Sequence, residues 1–144
     1  MKSSLVIIPI ALALVLVIAA ACGLNPADHA ALSAGKAIKT VTVGNLTATL
    51  SNSTGQLKQG SQEVTLAFTD SAGKPVDVGA VSLNFHMPAM GGMAAMDDTV
   101  TFTTTGTPGV YRGRVNIEMA GEWQAQLAYE GPVGTGKTAF SVAA

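Results

Sequence analysis

Segment after segment beyond residue 40 alternates apolar with polar side chains, and a chain with a period of two must bury one face of each extended stretch. In "EVTLAFTD", Val64, Leu66 and Phe68 alternate against Glu63, Thr65 and Thr69. "VSLNFHM" sets Val81, Leu83, Phe85 and Met87 on one side and Ser82, Asn84 and His86 on the other. The same habit opens with "TVTVGNLTATLSN" and continues through "TVTFTTT", "VYRGRVNIEM", "EWQAQLAYE" and "TAFSV". Turn formers separate the runs: Thr54-Gly55, Ala72 to Pro75, Thr107-Pro108-Gly109, Ala120-Gly121 and Gly131-Pro132. Short strands at this spacing, with hardly any helical pattern, predict an all-β antiparallel sandwich of about seven strands occupying residues 40–144.

The beginning of the chain follows other rules. Lys2 precedes an uncharged run of 17 residues, Leu5 to Ala21, which as a helix would span only about 26 Å against about 30 Å of hydrocarbon. With no basic residues directly after it to stop transfer, the run reads as an export signal, residues 1–21, rather than a retained anchor. "IAAAC", Ile18 to Cys22, resembles the lipobox of bacterial lipoproteins. That resemblance implies lipidation at Cys22, attachment to membrane lipid, and a place in the cell envelope outside the cytoplasm. Residues 22–39, poor in large apolar side chains, are expected to form a flexible tether.

Composition narrows the function. Eight Lys and Arg against nine Asp and Glu give a net charge of −1, so there is no basic field for nucleic acid. Cys22 is the only cysteine, which excludes an internal disulfide and a thiolate metal cluster. No nucleophile, base and acid set and no multi-histidine centre is visible, so no enzyme activity is expected.

The chemistry concentrates in "HMPAMGGMAAM", residues 86–96, which holds four of the six methionines. Thioether sulfur is a soft neutral donor that selects monovalent copper over hard cations, and a neutral imidazole can complete such a site. His86, Met87, Met90, Met93 and Met96 are therefore the candidate metal ligands, with Pro88, Gly91 and Gly92 allowing the backbone to fold tightly. The competing reading is an adaptable apolar surface for a partner protein, or simple packing at the end of the sandwich. Strand alternation already divides the set, since Met87 should face inward and His86 outward. Trp123 is expected in the core, with a cation-π contact to an ion as the other reading. Asp97 and Asp98 read as solvated residues rather than a hard-cation site, and Met119 would approach the loop if both connections share one end.

"FHMPAMGGM" followed by "GVYRGRVNIEMAGEWQAQL" and "TAFSV" resembles the YtkA-like family of small bacterial extracytoplasmic domains. The matching motifs are a Met-Pro-x-Met turn, Met87 to Met90, then Gly109 with Tyr111 and Gly121 with Trp123. The resemblance implies an immunoglobulin-like sandwich, often lipid-anchored, related to FixH-type proteins and found near copper and heavy-metal efflux systems. It implies no enzyme activity. With His29 in the tether and only His86 in the domain, a tight divalent copper or zinc centre is not expected. The resulting expectation is a lipid-anchored extracytoplasmic protein that binds copper(I) and buffers it or passes it to a transport or respiratory partner. Its rival is an accessory module of such a membrane assembly, with the methionines as a contact surface.

Overall fold

Alternation becomes extended structure throughout the computed structural model, which describes residues 35–144. Eight strands form: β1 (Lys36–Val43), β2 (Leu46–Asn52), β3 (Gly60–Thr69), β4 (Ala80–Met87), β5 (Met96–Thr104), β6 (Val110–Ile117), β7 (Glu122–Gly131) and β8 (Gly134–Ala143). All neighbouring pairs are antiparallel, in the order β1-β2-β3-β6-β5-β4-β7-β8. The expected signal segment, Cys22, His29 and most of the expected tether lie outside the described residues.

The order folds over on itself at β5. Its first half, Met96 to Val100, lies against β4, whereas Thr101 to Thr104 pair with β6. One strand thus belongs to both halves of the sandwich, and β1 and β8 approach each other at the far side. Between the halves, Val43, Leu50, Leu66 and Phe68 meet Leu83, Phe85, Trp123 and Leu127 in one apolar cluster. Phe68 packs edge-on against both Tyr111 and Tyr129, at centroid separations of 6.0 and 5.6 Å. Leu83, Phe85 and Met87 are buried as the alternation requires.

The expected count of about seven strands becomes eight because "TVTVGNLTATLSN" is a hairpin rather than one strand. Val43 and Leu46 pair across Gly44-Asn45, and Gly44 supplies the positive φ of 64° that a two-residue turn demands at its first central position. β1 also starts at Lys36, four residues before the expected domain boundary. It is an edge strand with mostly exposed side chains, so it lacks the buried face from which alternation is read. Thr65, expected outside, is buried because β3 is a central strand flanked by β2 and β6. Its carbonyl accepts the Ser51 hydroxyl at 3.3 Å.

Antiparallel register gathers several chain segments at one end. Ala80 to His86 run against Glu130 to Gln124, so the C-terminal end of β4 lies beside the start of β7. The β6–β7 connection, carrying Met119 and Gly121, therefore shares an end with the β4–β5 loop. Gly121 exchanges two backbone hydrogen bonds with Ala144 there, at 3.0 and 2.9 Å. Five methionines occupy this end of the molecule.

Candidate metal-binding hairpin

Met87 pairs with Met96, and three residues further out on each arm Met90 pairs with Met93. The register is the same at both positions, so the β4–β5 ribbon continues through the loop to a two-residue turn at Gly91-Gly92. Gly91 adopts φ 57°, and no Cβ at either glycine would have a neighbour within 4 Å, so the apex stands in open space. Pro88 has no N–H to give, and regular strand pairing lapses beside it before Met90 and Met93 close the apex with reciprocal N–H···O bonds of 3.2 and 2.9 Å.

Residues directly opposite in an antiparallel ribbon project to the same face. Met90 and Met93 thus form one side-by-side thioether pair, 59 and 50 % exposed. Counting the pleat from His86 and Asp97 puts this pair on the outward side of the ribbon and Met87 and Met96 on the core side. Met87 is 2 % exposed, and Met96 and Met119 are partly buried against the core. The five candidate ligands therefore fall into three groups: the apex pair, His86 on the outward face, and Met87 with Met96 beneath. Met87 is closed to an exposed ion because its side chain fills the core. His86 and Met90 are up to about 13 Å of extended chain apart at their α-carbons, so imidazole and apex sulfurs share an ion only when the tip curls back.

His86 has its own surroundings on the outward face. Its Nδ1 lies 2.9 Å from Asp97 Oδ1, and the same oxygen accepts Asn84 Nδ2 at 3.1 Å. Asn84 is in turn oriented by the Thr99 hydroxyl, which donates to its Oδ1 at 2.9 Å. The Asn84 and His86 donors hold the Asp97 carboxyl below its ordinary value, so it is ionised at neutral pH. An ionised carboxylate only accepts, so Nδ1–H of His86 is the donor. In the neutral ring this leaves Nε2 as the nitrogen that carries the lone pair, the arrangement by which carboxylates orient metal-binding imidazoles. Asn84, Asp97 and Thr99 were not apparent as partners of His86 from the sequence. Their signal is the pairing of 84 with 99 and 86 with 97, which needs the register.

Asp98 is engaged elsewhere. Its Oδ2 accepts the Asn116 N–H at 2.7 Å, tying β5 to β6 just before the crossover. Trp123 is fully buried and donates Nε1–H to the Met119 carbonyl at 3.1 Å, as a core tryptophan rather than an exposed cation-π partner. Among the described residues, no three His, Cys, Asp or Glu side chains group as ligands.

These features define an all-β sandwich that carries a methionine hairpin at one end. The family model described as YtkA-like matches residues 40–128, and the chain belongs to that family. Among solved structures, a DUF4785 family protein from Legionella pneumophila is similar, with a TM-score of 0.46 and 10 % identity. The likeness covers 69 % of this chain and 28 % of that one. No curated protein matches the chain.

Proposed function

We propose that this protein is a lipid-anchored extracytoplasmic carrier or buffer of monovalent copper, with its ion seat at the β4–β5 apex. The observation that carries the reading is the in-register pair of exposed thioethers, Met90 and Met93, on one face of a two-residue turn. Two neutral sulfurs suit a soft monovalent ion, which accepts low coordination numbers and exchanges ligands readily. His86 Nε2 supplies a third donor when the tip folds back, and the open apex lets a partner's ligand attack the bound ion. This is a binding role rather than a catalytic one. The same exposure favours a second reading, an apolar contact module of a membrane efflux or respiratory assembly.

Replacing both Met90 and Met93 by leucine separates the two. Leucine keeps the bulk and removes the donor. In competition against a chromogenic chelator of monovalent copper, the full chain is expected to bind and the double variant to lose at least about tenfold, near 1.4 kcal/mol. No binding by the parent, or undiminished binding by the variant, overturns the carrier reading. A partner contact would survive the change. For the anchor, mass spectrometry of the mature N-terminus is expected to find a diacylated Cys22. An unmodified cysteine, or cleavage elsewhere, removes the anchor from the proposal.

A further inference from the structure

We infer that Met90 and Met93 form a reversible oxidation site, at which peroxide converts the thioethers to sulfoxides and disarms the apex while the fold stays intact. The selectivity rests on the partition of the methionines alone. Its consequence for an ion rests on the copper reading above.

Sulfoxide formation needs direct approach of an oxidant to a sulfur lone pair. One oxygen of hydrogen peroxide bonds to sulfur as the O–O bond breaks. The sulfur loses two electrons, the proton on the transferred oxygen passes to the departing hydroxide, and that second oxygen leaves as water. Met90 and Met93 are 59 and 50 % exposed, whereas Met87 is 2 % exposed and Met96 and Met119 are partly buried. Attack is thereby directed to the apex.

The result differs between the two layers of methionine. At the apex, open space around Gly91 and Gly92 accepts two added oxygens, and the turn is closed by backbone bonds that do not involve sulfur. The product is polar, and polarity on an exposed side chain costs little stability. An oxygen on Met87 would instead enter the core next to Gly121. Oxidation at the apex therefore changes its chemistry without unfolding: a soft thioether pair that suits copper(I) becomes a pair of harder sulfoxide groups that does not. Because this product is a substrate class of methionine sulfoxide reductases, the change is reversible.

The test treats the full chain with dilute hydrogen peroxide and follows each methionine by fragment-ion mass spectrometry. Met90 and Met93 are expected to gain oxygen about tenfold faster than Met87, with far-UV circular dichroism and the unfolding midpoint unchanged when both are converted. A methionine sulfoxide reductase is expected to return the parent mass. Substituting Met90→Leu and Met93→Leu together should delete the fast phase. Oxidation of Met87 at a matching rate, a fast phase that persists in the double variant, or loss of structure as the apex is converted, overturns the inference. The apex-oxidised chain is further expected to lose at least about tenfold in affinity for monovalent copper. Equal affinity before and after oxidation removes the gating role. If the untreated chain binds no copper, the copper reading fails, and the order of oxidation still decides the modification site.

Discussion

Trp123→Ala is expected to lower the unfolding free energy by about 3–5 kcal/mol, measured by urea denaturation followed by circular dichroism. The indole is fully buried and heads the ranking of buried side chains by volume. Alanine would leave a cavity between β7 and the opposite half, and the surrounding strands, fixed by their ladders, can close it only in part. The substitution also deprives the Met119 carbonyl of its donor. For a domain whose whole stability is about 5–15 kcal/mol, that is a large fraction. Trp123→Phe, which keeps most of the volume but not the N–H, is expected to lose less, about 1–2 kcal/mol. A loss below about 1.5 kcal/mol for the alanine variant would mean that the indole does not support this end of the sandwich.

The two Gly-x-aromatic motifs acquire a shared physical meaning. Gly109 has φ 81°, and a Cβ there would lie 2.5 Å from the Val76 carbonyl oxygen, so glycine lets two backbones touch. Two residues later, Tyr111 accepts the Val78 N–H at 3.2 Å and donates to Asp77 at 3.0 Å, pinning the loop before β4. Gly121 and Trp123 repeat the device at the other end, where the indole pins Met119. In each motif the glycine permits a close approach and the aromatic polar atom fixes the connection beside it. Both are fold-forming elements, whereas the methionines of the apex are among the exposed large hydrophobic residues.

Alternation carried most of this fold because each of β3, β4, β6 and β7 buries one face or both. Leu83, Phe85 and Met87 could be assigned inward, and His86 outward, without coordinates. What alternation could not give was partnership. β1 was hidden because an edge strand needs no apolar face, and the Gly44-Asn45 turn passed unnoticed inside a run of strand formers. The Asn84, His86, Asp97 and Thr99 network was illegible for a different reason: its members lie 11 to 15 residues apart and meet only through the β4–β5 register. For the methionines the spacing of three suggested that two or three of the sulfurs could converge on one ion with His86. A two-residue turn instead pairs them as 90 with 93 and 87 with 96, and the pleat sends the two pairs to opposite faces.

That division gives the second large effect. Met87→Ala is expected to destabilise the chain by about 2–5 kcal/mol, whereas Met90→Ala should stay within about 0.5 kcal/mol of the parent. Met87 is 2 % exposed, and its terminal methyl occupies the notch left by Gly121, where an added Cβ would come within 2.9 Å of it. Removing it opens the core directly beneath the hairpin; Met90 is 59 % exposed and lies outside the core. Copper binding should rank the two in reverse. At a temperature where both variants are folded, Met87→Ala is expected to keep the parent's affinity within about twofold, and Met90→Ala to lose about tenfold. The opposite ranking, with Met87→Ala abolishing binding in a fully folded chain and Met90→Ala harmless, would move the ion seat inward. It would then lie at the base of the ribbon, where Met87 pairs with Met96, and the exposed apex would be left to partner contact.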